Sequence, residues 1–127
     1  MNIEKTNYQN NLLGSSFIEI KKSKFYTYMY RISSKEEAIN IINNIKENHK
    51  KAKHILYLYK TENTLKIHND GEPQGTGLNT CLNILEKDNA ANYLVISIRY
   101  YGGILLGSGP LMRTYLNGFL KAYKNVD

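Results

Sequence analysis

The stretch YLVISI at positions 93–98 is the longest largely apolar run in the chain. It shows no alternation between apolar and polar residues, which is the pattern of a strand buried on both faces. It is also far too short to span a membrane as a helix, for which about 20 residues are needed. The rest of the chain must therefore supply a sheet around this strand and layers to cover it. With 127 residues there is enough chain for one such core and one domain.

Two arms of 16–32 read as extended, with a turn near Lys22-Ser23. In the first, Phe17, Glu19 and Lys21 alternate with Ile18 and Ile20. The second carries Phe25, Tyr26, Tyr28 and Tyr30, the aromatic enrichment of strands. A helix follows. Ser34 stands three residues before Glu37 as in a capping box, and Ala38, Ile41, Ile42 and Ile45 fall on one face. In 53–60, Leu56 and Leu58 share a face with His54, while Ile55, Tyr57 and Tyr59 share the other; 65–68 returns as a hairpin. Leu78, Cys81, Leu82 and Leu85 repeat at helical spacing, and 92–101 is the strand already described. Pro110 then suits the first turn of a last helix that buries Leu111, Tyr115, Phe119 and Tyr123. The order β-β-α-β-β-α-β-α predicts an α+β sandwich, with a mixed β-sheet covered on one face by helices. Residues 1–14 read as a flexible lead-in and 15–127 as the single domain.

Composition excludes other classes. At 42% hydrophobic and 22% charged residues the chain is not disordered by composition. A single cysteine, Cys81, allows no internal disulfide, and the polar start lacks an apolar signal region, so a cytoplasmic location is expected. Residues 1–60 carry eleven basic and five acidic side chains, and 61–127 six of each, so the whole +6 excess lies in the first half. A basic surface favours acidic partners such as RNA or ribosomes; it also simply keeps a protein soluble. Lys50, Lys51 and Lys53 follow the first helix. They are candidates for nucleic-acid contact, and equally cations that suit a helix C-terminus.

Seven of the nine glycines fall in two segments, NDGEPQGTG (69–77) and GGILLGSG (102–109), each next to a predicted helix start. Glycine permits close backbone approach, and a helix N-terminus offers free N–H groups to an anion. Arg99 and Arg113 flank the second segment. The candidate ligand or anion site is therefore Asp70, Gly71, Glu72, Gly75, Thr76, Arg99, Gly102, Gly103, Gly107, Gly109 and Arg113. Tight turns and close packing explain the same glycines. Asp70 and Glu72 could act as acid and base or hold a divalent cation; helix capping, or a salt bridge to Arg99 or Arg113, explains them as well. Neither segment is a Walker A or a GxGxxG fingerprint. His49, His54 and His68 lack zinc spacing, so no metal is expected, and no cofactor either. His54 and His68 could meet across their hairpin. Cys81 reads as core.

These two segments, with ISIRYYGGILLGSGPLMRTY around the second, resemble the IMPACT/YigZ family. The family has a DGEP-x-GT loop, then a strand ending R-Y-F/Y-GG, then I-x-LG-x-G and L-x-R-x-Y. The matching residues are Asp70 to Pro73, Gly75 and Thr76, then Arg99, Tyr100, Gly102 to Ile104, Leu106, Gly107, Gly109, Leu111, Arg113 and Tyr115. Ser23-Lys24-Phe25 and Ala52-Lys53-His54 resemble the family's S-[KR]-F and A-x-H strand entries. The resemblance covers about 15–124. Asn69 stands where an Asp is usual, Gly77-Leu78 replaces Ala-Gly, and Pro110 replaces a Gly. What the resemblance implies is a fold similar to the second domain of a small-subunit ribosomal protein, to domain IV of translocation factor G and to the GHMP kinases. It also implies a link to translation: a eukaryotic relative restrains a stress kinase by competing for that kinase's activator. Flanking domains of relatives, one N-terminal in eukaryotes and one ferredoxin-like and C-terminal in bacteria, have no counterpart in these residues, which match the bare family module.

Two functions from different classes follow as expectations. One is a non-enzymatic binding module acting on RNA, the ribosome or a translation-control protein partner. The other is an enzyme on a small phosphorylated or carboxylated substrate, which requires Asp70, Glu72, Arg99 and Arg113 to converge on one pocket; no nucleophile–base pair is identifiable for it. A third reading is a protein adaptor using an exposed sheet face that bears Tyr26, Tyr28 and Tyr57. The binding reading rests on one spatial expectation, that the two glycine segments meet beside a helix tip.

Overall fold

A computed structural model of the chain describes residues 10–126. Strands β1 (Leu12–Ile20) and β2 (Ser23–Arg31) form a hairpin, followed by helix α1 (Lys35–Asn48). Strands β3 (His54–Lys60) and β4 (Leu65–His68), helix α2 (Asn79–Lys87), strand β5 (Tyr93–Tyr100) and helix α3 (Ser108–Lys124) complete the domain. Most of the expected lead-in lies outside the described residues; Leu12 to Gly14, assigned to it from sequence, already belong to β1.

The hairpin turn sits at Lys21 and Lys22, with φ of 47° and 67°, one residue before the position expected. Two left-handed residues are what a two-residue turn needs to match the twist of its strands, although glycine or asparagine usually supplies them. The α1 start follows the capping pattern with one change. Ser34 Oγ accepts the Glu37 N–H at 3.1 Å, but Glu37 Oε1 reaches back to the N–H of Ser33, at 2.9 Å.

The sheet order is β1-β2-β5-β3-β4. Every pairing is antiparallel, which corrects the expectation of a mixed sheet. The crossover through α1 does carry the chain from β2 to a parallel β3. The late strand β5 then inserts between them, so the two parallel strands never touch. A second correction concerns the cover. Helices lie on both faces. Phe25, Met29, Leu56, Leu58 and Val95 pack under α2 and α3, with Cys81, Leu85, Leu111, Tyr115 and Phe119. On the opposite face Ile55, Leu94, Ile96 and Ile98 pack under α1, with Ala38, Ile41, Ile42 and Ile45. A strand apolar on both faces demands this, because either face left in water would expose three large side chains. Helix α1 covers the β3–β5 half of its face. Over β1 and β2 that face is open: Phe17 is 48% exposed, and Tyr26 and Tyr28 are half-buried.

Among the described residues no helix is long and apolar enough to cross a membrane.

Candidate functional site: two loops locked by a buried carboxylate

The loop of 69–77 makes two tight turns. Glu72 N–H donates to Asn69 O and Thr76 N–H to Pro73 O, both at 3.0 Å, and the Thr76 hydroxyl bonds the same Pro73 oxygen. Asp70, Gly71 and Gly75 have positive φ. The turns aim two carboxylates in different directions. Asp70 Oδ2 accepts the Ile55 N–H at 2.7 Å and so ties the loop to the start of β3. Glu72 points inward and its side chain is only 1% exposed.

An isolated buried carboxylate is costly, so its partners are decisive. Arg99 Nη1 donates to both Glu72 oxygens at 2.8 Å, and Arg99 is itself 8% exposed. The Tyr115 hydroxyl donates to Glu72 Oε2. Burial, and after it the neighbouring Glu72 charge, push the Tyr115 phenol far above its usual range, so it stays a donor. Arg99 lies at the end of β5 and Tyr115 in the second turn of α3. They stand on either side of the second glycine segment, so a single carboxylate from the first loop holds both flanks of the second. The link between the two segments is thus indirect: Glu72 of the first reaches Arg99 and Tyr115, which flank the second, and not the second segment itself.

The second segment is also fixed from the other side. Gly102 N–H donates to Ser23 Oγ at 3.0 Å, and a Cβ at Gly102 would lie 2.1 Å from the Lys22 carbonyl carbon. Only glycine lets this loop reach the β1–β2 turn. At Gly77 a Cβ would lie 2.1 Å from Asn69 Oδ1, the atom that accepts the Leu78 N–H at 2.9 Å. The two positions that depart from the family pattern in this loop are therefore neighbours in space.

His54 stands between the carboxylates, with Nε2 3.4 Å from Glu72 and Nδ1 3.8 Å from Asp70. His68 Nε2 lies 3.6 Å from Asp70 Oδ1. The two histidines do not pair across the hairpin: in the β3–β4 register His68 faces Tyr57 and stacks on its ring at 4.9 Å, and each histidine instead approaches Asp70. Arg99 Nε is buried without a hydrogen-bond partner among the described residues. No group of three His, Cys, Asp or Glu side chains among the described residues could hold a metal ion.

Of the residues singled out from sequence, Asp70, Glu72 and Arg99 thus come together with His54, His68 and Tyr115. Arg113 does not join them: it is exposed on α3, beside Gly109. Gly107 caps α3 and Gly109 lies in its first turn. Gly103 is exposed, as are Ile104 and Leu105, the last at 80%. Lys50, Lys51 and Lys53 are exposed beyond the α1 cap at His49, and Lys50 pairs with Glu47 at 3.2 Å. Cys81 is fully buried and its thiol is pushed up to about 12 by desolvation, so it is inert at neutral pH. The tyrosines of the adaptor reading are split. Tyr28 and Tyr57 both face Ile96 across β5, and Ile96 is buried under α1, so the helix separates them.

The part played by Tyr115 was hidden in its helical stripe, where it reads as core. One signal pointed to the lock. Arg99 shares the face of Val95 and Ser97 on a strand without exposed positions, and a buried guanidinium there requires a buried acid.

The Impact N-terminal domain profile matches residues 21–123. An IMPACT family member of Haemophilus influenzae is 37% identical over 114 residues, covering 86% of this chain and 55% of that protein. The IMPACT family member YvyE of Bacillus subtilis is 36% identical over 105 residues, covering 80% and 48%. The chain therefore spans about half the length of these relatives. Among solved structures, one described as that of a hypothetical protein superposes with a TM-score of 0.82 at 28% identity, covering 92% of this chain and 61% of that one. A structure of the two-domain translational regulator Yih1 shares the fold at a TM-score of 0.54 and 18% identity, covering 91% and 47%. With this profile match over most of its length, these sequence identities and the shared fold, the chain belongs to the Impact N-terminal domain family.

Proposed function

We propose that the chain is a non-enzymatic binding module linked to translation, and that its partner is the ribosome, met through RNA or a ribosome-bound translation-control protein. The observation that carries this reading is the fate of Glu72. The inward carboxylate, which acid–base chemistry would use, is committed to Arg99 and Tyr115, and Arg113 stands apart from it. A small-substrate enzyme needs these groups convergent and open to a ligand. What the lock leaves outside is a loop anchored at Gly102, with Gly103, Ile104 and Leu105 exposed, together with the cations Arg113, Lys50, Lys51 and Lys53. The family supports the link to translation: one relative is described as a Protein IMPACT homolog, of Dictyostelium discoideum, and a structural neighbour as a translational regulator.

The test is co-sedimentation of the chain with ribosomes over a salt series. Binding should be strong at low salt and fall steeply as salt rises, as expected when lysines displace counterions from phosphates. A protein that remains in the supernatant at low salt contradicts the proposal.

A further inference from the structure

The open half of the α1-covered face holds a cleft of about 360 Å³ lined by Lys22, Lys24, Tyr26, His49, Tyr100 and Tyr101. No side chain of the Glu72 lock lines it; the lock lies on the opposite face of the sheet. Aromatic rings surround it at regular spacing. Phe17 and Tyr26 have centroids 4.9 Å apart, Tyr26 and Tyr100 6.1 Å, and His49 and Tyr100 5.9 Å. His49 Nδ1 and the Tyr100 hydroxyl are hydrogen-bonded at 2.6 Å, which fixes both rings. Those two rings are thus held before any ligand arrives, and Phe17 and Tyr101 keep 48% and 43% of their surface in water.

Charge surrounds the same cleft. Lys22 lies in the left-handed turn and Lys24 lies one strand across from Tyr100. Lys53 N–H donates to Arg99 O at 2.7 Å, so the segment with Lys50, Lys51 and Lys53 runs beside Tyr100. Against these cations stand Glu19, opposite Lys24 in the hairpin, and Glu47, already paired with Lys50. The balance is strongly positive.

Partly exposed rings interleaved with lysines on an open sheet face match one ligand chemistry. Bases present flat π-faces of any sequence, and their phosphates require cations. A duplex hides those faces, and an apolar protein segment has no use for the lysines. We propose that this cleft binds single-stranded nucleic acid, its bases stacking on Phe17, Tyr26 and Tyr100 and its phosphates meeting Lys22 and Lys24. This deepens the binding function proposed above by naming a ligand class, and it places the contact on the α1 face of the sheet, beside Gly102 of the second glycine segment.

The test is fluorescence anisotropy of an end-labelled ten-nucleotide uridine RNA against the whole chain, with circular dichroism to verify folding. Phe17→Leu and Tyr26→Leu keep apolar bulk and remove the ring; each should weaken binding about tenfold. Tyr26→Phe, which keeps the ring, should bind as the parent does. Lys22→Ser with Lys24→Ser should weaken binding and make the slope of log affinity on log salt shallower by about 1.4. Lys87→Ser, an exposed cation at the end of α2, should change nothing. Absence of binding at 50 mM salt, equal binding by folded Leu variants, or equal affinity for a ten-base-pair duplex would overturn the proposal; the second result would mark an apolar docking face for protein. Ribosome pelleting without oligonucleotide binding would sink this inference and leave the translation-linked function standing. Ring-dependent oligonucleotide binding without pelleting would do the reverse.

Discussion

The two faces of the β2–β5 end of the sheet use similar residues to opposite ends. On the α3 side, Arg99, Glu72 and Tyr115 are buried and bonded to one another. On the α1 side, Lys24, Tyr26 and Tyr100 are at most partly covered and the cations outnumber the acids Glu19 and Glu47. Lys24 and Tyr100 alternate with Phe25 and Arg99 along the same two strands, one residue apart. The difference teaches that in this fold a charge inside the core is a structural fastener, whereas a charge beside an exposed ring is available to a partner. Motif matching alone points to the fastener, because Asp70, Glu72 and Arg99 are its most distinctive letters.

The comparison can be broken most sharply at Arg99. Arg99→Ala leaves Glu72 buried without its counter-charge and should lower unfolding free energy by about 3–5 kcal/mol in urea denaturation. A loss below about 0.5 kcal/mol would place Arg99 with the exposed cations instead. Gly102 lies between the two faces. Gly102→Ala forces the loop away from the Lys22 backbone and should cost about 1–3 kcal/mol, read as a lowered thermal midpoint. Tyr115→Phe removes one donor while Arg99 remains, and about 1.5 kcal/mol should be lost in the same urea assay. At the other extreme, Lys22→Ser with Lys24→Ser should shift stability by no more than about 0.5 kcal/mol, although it alters binding. A large loss there would erase the distinction between the faces.

Much of the fold was legible because its signals are local. The Ser34–Glu37 cap, the apolar stripe of α1, the alternation in β3 and the position of Pro110 each depend on residues a few positions apart. The insertion of β5 between β2 and β3 is not local. Nothing in a strand's own sequence names its neighbours, so both the antiparallel sheet and the cover on both faces escaped pattern reading. The unbroken apolar run of β5 did contain the second point, since burial on both sides implies layers on both sides. The site divides in the same way. A salt bridge from Glu72 to Arg99 or Arg113 was a stated alternative, and the choice of Arg99 follows from its inward face on β5. The pairing of His49 with Tyr100 joins residues 51 positions apart and left no trace in either segment.

The central claim is that Glu72 and Arg99 act as one buried unit which holds the glycine loops together. A double-mutant cycle of Glu72→Gln and Arg99→Met, followed by urea unfolding, measures this directly. The account predicts a coupling of about 2 kcal/mol or more, with the double variant more stable than the two single losses would add up to. Additive losses, with a coupling below about 0.5 kcal/mol, would mean that the carboxylate and the guanidinium act separately and stand open to a ligand.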